Sequence, residues 1–291
     1  MSTAAEYFGE AVNAFADGDL NAALTYIREA AAHDPENLVY AASVTYLENR
    51  LAKGAANAYA SPEGFREFVR GGGNIPLYEN TSAALRAVYR QYTAFSLLDV
   101  GTGDGLALIP ALTSTISRLD VVEPSAALLE NLEAQLQQLG QIYRAFHGTL
   151  QGFAANSSDH WDVAQGTYSL QSLPFEERPH MLRWLREHSD RLLIVEFDAP
   201  DFRNPLAPER IQHVLARNQL GLAEYAGNEV VIQGFLMPVM WGYFDRATGR
   251  LNYEQPVPAW VQQLGEAGFK QVTTELIYPY WWASAYLIDA R

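Results

Sequence analysis

The sequence predicts an α/β protein built around a doubly wound, mostly parallel sheet. Short apolar runs of strand length alternate with amphipathic stretches of helical period, an order that packs helices on both faces of such a sheet. Right-handed crossovers between parallel strands leave few topologies for this order. The predicted strands are 97–100, 119–122, 143–147, 161–166 and 191–197, and the helices predicted in the same part of the chain are 82–92, 106–116, 125–140 and 176–188.

Helical patterns precede this α/β part. Apolar residues recur at helical spacing from Tyr7 to Phe15 and from Leu20 to Ala31, and Pro35 ends the second run. The pair looks like a single tetratricopeptide-like repeat, which cannot bury its own apolar face. We therefore expect it to cap the following domain or to form a dimerisation surface.

Composition breaks divide the chain into four predicted regions. The glycines at 71–73 predict a hinge at the end of a helical cap, 1–74. The α/β core follows at 75–200, and 201–250 is expected to be an irregular, aromatic-rich insertion. Residues 251–291 are predicted to complete the core with an antiparallel β-hairpin, from strand-like patterns at 269–278 and 283–289.

A glycine loop follows the first predicted strand of the core. Residues 97–105 read Leu-Leu-Asp-Val-Gly-Thr-Gly-Asp-Gly, so a buried strand runs directly into Gly101, Gly103 and Gly105. Glycine permits a tight turn and a close backbone approach to a ligand, and the next helix directs its N-terminal amides to the same place. A dinucleotide fingerprint would need glycine at position 106, where Leu106 stands.

Two acids flank this loop. Asp99 lies near the end of its strand, and Glu123 ends the next strand, twenty residues after Gly103. A carboxylate at the second position can accept hydrogen bonds from both ribose hydroxyls of a nucleotide cofactor. Glu123 suits a nicotinamide cofactor equally well, so the choice of cofactor depends on the glycine register and on Asp99. A loop that keeps this shape without binding a ligand is the alternative.

The spacing Asp-x-Gly-x-Gly-x-Gly from Asp99 resembles the first motif of class I S-adenosylmethionine methyltransferases. This resemblance implies a Rossmann-like doubly wound sheet with an antiparallel last strand, and S-adenosylmethionine as the cofactor. The acid and the loop amides would surround the methionine part of the cofactor. The cofactor-binding residues predicted on this basis are Tyr78, Asp99, Gly101, Thr102, Gly103, Gly105, Glu123, Pro124, Thr149, Leu150 and Gly166.

The order of features along the chain also resembles the GRAS family, which is known for plant transcriptional regulators and has bacterial members thought to be small-molecule methyltransferases. Plant members generally lack a full glycine loop, which is intact here, so the resemblance implies a helical cap on a methyltransferase-like core and not a regulatory role. The segments that carry it are 10–23, 98–100, 162–170, 193–196, 267–269 and 282–286.

Two residues at strand ends are the catalytic candidates. Glu196 follows an apolar run, where a buried carboxylate is costly without a purpose or a partner. His147 ends the third predicted strand. One of them is predicted to orient the methyl acceptor or to remove its proton, where the acceptor carries one. The alternatives are an ion-pair partner for Glu196 and a structural histidine for His147.

Aromatic side chains are predicted to line the acceptor pocket. The run 235–244 is too apolar to lie exposed, so it forms either a lid over the cleft or a core or dimer interface. Trp241 and Tyr243 can face a cationic sulfonium. Trp281 and Trp282, taken to lie on a strand, face opposite ways, so at most one reaches a pocket. The predicted acceptor-binding residues are Tyr168, Gln171, Trp241, Tyr243 and Trp282.

Composition restricts the partners. A net charge of −14 and the absence of a basic cluster disfavour nucleic acid. The chain has no cysteine, which excludes disulfides and thiolate sites, and no metal site is predicted. It has no apolar run long enough to span a membrane and no basic start, so we expect a cytoplasmic protein with a small-molecule substrate and no membrane partner. A homodimer is a candidate assembly.

These predictions converge on S-adenosylmethionine-dependent methyl transfer to a small, apolar or aromatic acceptor. Two other functions stay open at this point. A non-catalytic, GRAS-like ligand-binding or scaffold protein would keep the fold and bind partners through its helical N-terminus. A dinucleotide oxidoreductase would bind a nicotinamide cofactor despite Leu106.

Overall fold

The computed structural model describes residues 3–53, 62–200, 204–247 and 252–291. The chain forms two compact units. One consists of Met1–Ile75 and Phe202–Arg250, and the other of Pro76–Asp201 and Leu251–Arg291. The segment that follows the fifth strand therefore belongs to the same unit as the N-terminal helices, and the C-terminal segment belongs to the sheet unit.

The first unit is helical. Its first helix begins with a capping box, in which Thr3 and Glu6 each accept the other's backbone amide, and Asp19 caps the second helix. Within the described residues no helix of either unit is long and apolar enough to cross a membrane. The helices of the first unit are α1 (Ala4–Ala16), α2 (Leu20–His33), α3 (Leu38–Lys53), α4 (Pro62–Val69), α10 (Pro208–Glu224), α11 (Glu229–Val231) and α12 (Met237–Gly242).

The prediction of irregular structure after residue 200 is wrong for the described part of that region. It forms α10 to α12, with a π-helical turn at Ile232–Leu236 between the last two. The stretch from Val231 to Phe244 is apolar on nearly every side, so it shows no helical period in the sequence. Pro238 reads as a helix breaker but lies in the first turn of α12, where proline is tolerated.

The second unit contains a seven-stranded sheet in the order β3-β2-β1-β4-β5-β7-β6. The first five strands are parallel, β7 runs antiparallel to β5, and β6 runs antiparallel to β7. This is the predicted doubly wound sheet with an antiparallel end. The strands are β1 (Phe95–Val100), β2 (Ile116–Glu123), β3 (Tyr143–His147), β4 (Trp161–Thr167), β5 (Ser189–Phe197), β6 (Val272–Tyr278) and β7 (Ala285–Ala290).

Alternate residues of the central strands enter two separate cores. Leu97, Val163 and Val195 belong to one, and Leu98, Ala164 and Ile194 belong to the other. Because both faces of a parallel sheet are buried, its strands read as continuous apolar runs. On the first face lie α5 (Asn74–Tyr89), α6 (Leu108–Ala111) and α7 (Ala126–Gln138), and on the second lie α8 (Leu150–Ala154), α9 (Arg178–His188) and α13 (Val257–Ala267).

The helix predicted at 106–116 is much shorter in the structure. Only Leu108–Ala111 is helical, because Leu112 turns to extended backbone and β2 begins at Ile116. Ile116 and Leu119, whose side chains are buried, already belong to β2. The shortened helix leaves the glycine loop as the main connection between β1 and β2.

Candidate cofactor and acceptor site

The glycine loop has the backbone conformation that its sequence predicts. Gly101, Gly103 and Gly105 have φ values of 67°, 60° and 84°. This left-handed region costs roughly 1–2 kcal/mol for a residue with a Cβ, so each of the three positions favours glycine. The loop begins at the carboxyl end of β1, the edge at which open α/β sheets bind ligands.

The three glycines differ in what surrounds them. A Cβ on Gly101 would lie 2.4 Å from the Cβ of Ser169, and a Cβ on Gly105 would lie 2.7 Å from Leu132 Cδ1. A Cβ on Gly103 would have no atom within 4 Å. Gly101 and Gly105 therefore allow the chain to pack on itself, whereas Gly103 borders open space where a ligand can approach the backbone.

Glu123 holds this open part of the loop from the next strand. Its Oε2 accepts a hydrogen bond from the Gly103 amide at 2.8 Å, and its Oε1 accepts one from the Ser125 amide at 2.8 Å. An ionised carboxylate has about four acceptor positions, so two remain for ribose hydroxyls. The carboxylate predicted to bind ribose is therefore already fixed against the loop.

Asp99 is almost completely buried, with 3% of its surface exposed. Burial raises its pKa to about 7, and the charge of Glu123 acts in the same direction. The nearby side chains of Gln165 and Thr102 partly offset the rise in pKa. The acid next to the loop is therefore poised to change its charge near neutral pH.

The remaining predicted cofactor residues have mixed roles. Thr102 donates its hydroxyl to the Asp99 carbonyl at 3.0 Å. Thr149 caps α8 by accepting the Gly152 amide, and the Leu150 side chain is buried in the core. Gly166 is required by close packing, since a Cβ there would lie 2.7 Å from Leu170 Cγ.

Pro124 and Tyr78 complete the predicted set. Pro124 is exposed after β2, and its carbonyl lies 3.0 Å from Nε2 of His147. Tyr78 lies on α5 with its ring edge against Tyr168, at a centroid distance of 5.8 Å. It also lines a cavity of about 340 Å³ between α5 and α6, which contains none of the other predicted cofactor residues; its remaining lining residues are Glu79, Ser82, Ala83, Arg86, Leu106 and Pro110.

A row of aromatic rings lies at the carboxyl ends of β4 and β5. Tyr168 stacks on Phe197 at 4.8 Å, and Phe197 stacks on Tyr280 at 5.5 Å. Tyr168 has a φ of 52°, which is rare for a residue with a bulky side chain. Its hydroxyl lies 2.9 Å from the Thr81 hydroxyl, which fixes the ring in the row. Strain of this kind is concentrated at functional sites.

Glu196 precedes Phe197 on β5, so its side chain lies on the opposite face of the sheet from that ring, with 1% of its surface exposed. Burial and, less strongly, the charge of Glu196 raise the pKa of Tyr168 in the row. Glu196 Oε1 accepts the Gln171 amide at 3.0 Å. Burial raises its pKa to about 8, the backbone amide of Gln171 and the charge of Arg178 lower it, and the charge of Glu254 raises it. A buried carboxyl with a pKa near neutral suits proton transfer.

Trp281 and Trp282 lie in a bend before β7, so the prediction that they lie on a strand is wrong. Trp282 donates its indole N–H to Glu254 Oε1 at 2.7 Å. The indole nitrogen of Trp281 is buried with no hydrogen-bond partner in the described parts of the chain. Such a donor suits an oxygen or nitrogen acceptor atom of a ligand.

The two catalytic candidates do not come together. His147 ends β3 and Glu196 lies near the end of β5, and three strands separate β3 from β5. At a strand spacing of about 4.8 Å, the two strands are roughly 19 Å apart. One acceptor atom cannot reach both residues, and Glu196 is the one whose charge acts on the aromatic row.

Two predicted acceptor residues belong to the helical unit. Trp241 has no exposed surface and packs against Phe8, Phe15 and Tyr46, so its ring is not available to a ligand in this structure. Arg210 lies over the ring of Tyr243 at 5.3 Å and takes the position predicted for a sulfonium. The run 235–244 is therefore largely core of this unit, the second of its two predicted roles.

Sequence reasoning missed the polar residues that support the acids. Gln165 interrupts the apolar strand β4, and the register places it directly beside Asp99 of β1. Glu254 comes from the C-terminal segment and contacts the site through Trp282. A lone glutamine in a buried strand is a signal that could have identified the first. Nothing local in the sequence marks the second.

Comparison with known proteins supports the fold. No family model matches the chain, and no curated protein is similar to it. Two solved structures of magnesium protoporphyrin IX methyltransferase from Synechocystis PCC 6803 are similar, with TM-scores of 0.51 with bound SAH and 0.50 with bound SAM. Their sequences are 16% and 14% identical, and the alignments cover 78% and 82% of this chain and 92% and 99% of that enzyme.

Mitomycin 7-O-methyltransferase is also similar, with a TM-score of 0.50 and 14% identity over 94% of this chain and 71% of that one. At these identities the likeness shows the fold. This chain has the Rossmann-like fold of class I methyltransferases, with additional N-terminal helices. The resemblance to the GRAS family stays a prediction.

Proposed function

We propose that this protein transfers a methyl group from S-adenosylmethionine to a small aromatic acceptor. The observation that carries the proposal is the contact between the glycine loop and Glu123, where Gly103 faces open space with its amide bonded to the carboxylate. A ligand here meets bare backbone and two acids, which suits a cofactor with a ribose and a positive charge. The SAM and SAH bound to the magnesium protoporphyrin IX methyltransferase support the same ligand.

The residues that would hold this cofactor fit it chemically. The Glu123 carboxylate keeps acceptor capacity for ribose hydroxyls, and Asp99 places a second acid beside the loop. Opposite charge near Asp99 favours its ionised form. The open side of Gly103 leaves room that any larger residue would fill.

S-adenosylmethionine supplies a methyl carbon bound to a cationic sulfur. With this cofactor bound, the acceptor's lone pair would form the new bond to this carbon, and the electron pair of the broken carbon–sulfur bond would stay on the sulfur. The acceptor's proton passes to the ionised Glu196 carboxylate. Holding the reacting atoms in line contributes about 7–11 kcal/mol to such a step, so the main task of the chain is orientation.

The aromatic row favours a flat acceptor. Tyr168, Phe197 and Tyr280 stack in sequence, and planar ligands bind such surfaces through offset stacking. The indole N–H of Trp281, which has no partner among the described residues, offers a hydrogen bond to an oxygen or nitrogen of the same ligand. Glu196 acts on the row through its charge at Tyr168, and it would take the proton of a phenol or an amine.

The proposal is tested by cofactor binding to a pair of matched glycine variants. Gly103 and Gly140 have φ values of 60° and 66°, and a Cβ on either would meet no atom within 4 Å. Gly103→Ala and Gly140→Ala should therefore each cost about 1–2 kcal/mol of folding free energy. Only Gly103→Ala should weaken binding of S-adenosylhomocysteine in calorimetry, by tenfold or more.

Binding that is absent in the wild type, or lost equally in both variants, contradicts a cofactor at Gly103. Cofactor binding without release of S-adenosylhomocysteine across a panel of phenols and aromatic amines would favour the scaffold function. Selective binding of a nicotinamide cofactor would favour the oxidoreductase.

A further inference from the structure

Asp99 ends a buried chain of polar side chains. The proposed function uses Asp99 itself but not the other two members of the chain, Gln165 and Tyr89. Asp99 and Gln165 are direct neighbours on β1 and β4, so their side chains share one face of the sheet. Tyr89 of α5 packs on that face and donates its hydroxyl to Oε1 of Gln165. All three side chains are almost completely buried.

The hydrogen bond from Tyr89 determines which way the Gln165 amide points. With Oε1 engaged by the tyrosine hydroxyl, the amide nitrogen is the group left to face Asp99. That nitrogen is buried without a well-aligned hydrogen bond, yet it is close enough to lower the pKa of Asp99. The pair therefore forms a loose contact, and it would become a charge-assisted hydrogen bond if Asp99 ionised.

We infer that Tyr89 and Gln165 are positioning residues for Asp99, which orient its carboxyl and favour its ionisation when a cationic cofactor reaches the glycine loop. This inference rests on the proposed function for the identity of the cofactor. The chain of side chains itself is a property of the free protein.

Glu123 and Thr102 also act on the pKa of Asp99. Glu123 on β2 opposes ionisation through its charge, and Thr102 in the loop favours it. Asp99 in turn raises the pKa of Tyr89, as does burial, so this tyrosine stays protonated and acts as a donor. Gln165 is then the neutral donor that reaches Asp99 from β4.

The consequence is a pH-dependent preference between cofactor and product. Below neutral pH Asp99 is protonated, and a cationic sulfonium gains little from it. As Asp99 ionises, the cationic cofactor gains affinity relative to its product, a neutral thioether. The ratio of the two affinities should therefore rise with pH through about 7, the pKa of Asp99.

The first test uses the free protein and needs no cofactor. Carbon-13 NMR of the aspartate carboxyls, with Asp99 assigned from the signal lost in Asp99→Asn, gives the titration midpoint. Gln165→Met removes the donor at similar size and should raise the midpoint by about one pH unit. Tyr89→Phe should raise it by a smaller amount, because the amide loses its orientation but is still present.

Tyr92→Phe is the matched control. Tyr89 and Tyr92 both pack on Phe95, at centroid distances of 5.4 and 4.8 Å, but of the two only Tyr89 donates a hydrogen bond to Gln165. Its variant should leave the Asp99 midpoint unchanged. Equal midpoints in the wild type, Gln165→Met and Tyr89→Phe would overturn the inference, and circular dichroism of each variant identifies any that fails to fold.

The second test measures the affinities for S-adenosylmethionine and S-adenosylhomocysteine from pH 5.5 to 8.5. Gln165→Met should move the rise in their ratio upward by the same shift as its NMR midpoint. A midpoint that moves in a protein without cofactor binding contradicts the proposed function and leaves the positioning role intact. Cofactor binding together with unchanged titration midpoints would support the proposed function and contradict the positioning role.

Discussion

The two ends of the site are built from different materials. At the ends of β1 and β2 the proposed cofactor end is mainly backbone, with three left-handed glycines and amides bonded to Glu123. At the ends of β4 and β5 the proposed acceptor end is made of side chains, namely the stacked rings and the carboxyl of Glu196. Backbone conformation is encoded locally and side-chain assembly is not. A sequence motif can therefore reveal the first end, whereas only the folded chain reveals the second.

The largest effect expected from this difference is on turnover. Glu196→Gln should lower kcat by about 10²–10³-fold, the range of a lost general base, with little change in cofactor affinity. The wild-type rate should rise with pH through about 8, the pKa of Glu196, and the variant should lose this step. Steady-state rates from pH 6 to 9.5 with an accepted phenol or amine measure both.

Glu275→Gln is the control for that substitution, because Glu275 is exposed on β6. A variant at Glu196 with wild-type kcat and an unchanged pH profile would assign Glu196 a structural role.

A smaller effect concerns stability against pH. The folded state raises the pKa of Asp99 to about 7 and that of Glu196 to about 8, above their values in the unfolded chain. It therefore binds more protons than the unfolded state, and the stability present below pH 4 is lost as pH rises through these values. Asp99→Asn combined with Glu196→Gln should flatten this decline, by on the order of 7 kcal/mol between pH 5 and pH 9.

Urea unfolding at the two pH values provides the measurement. Each single variant removes the contribution of one carboxyl to this pH dependence, Asp99 at the proposed cofactor end or Glu196 at the proposed acceptor end. A wild-type stability that increases from pH 5 to pH 9 would contradict the buried, protonated carboxyls at both ends.

The smallest effect distinguishes a cap from a cofactor contact. Thr149→Ala should cost about 1 kcal/mol of folding free energy through the lost N-cap of α8, and it should leave cofactor affinity unchanged. Thr149→Ser keeps the capping oxygen and should restore the stability. A loss of affinity in Thr149→Ala that exceeds the loss of stability would extend the cofactor end to β3.

The sequence predicted the sheet well because short apolar runs that alternate with helical patterns are typical of buried parallel strands. It was less reliable where a segment is apolar on every side. The run around Trp241 reads equally as a lid or as a core, and its packing against Phe8, Phe15 and Tyr46 makes it core. Such a stretch has no polar face, so only its partners reveal its role.

The sequence by itself determined the succession of strands and helices in the core and the shape of the glycine loop. Each glycine is demanded by a local φ angle, and Glu123 comes at a fixed distance along the chain. Tertiary structure decided the remainder. It placed Gln165 beside Asp99, and it separated His147 from Glu196 by three strands. These relations depend on which strands are neighbours, and contacts between residues far apart in sequence leave no local pattern.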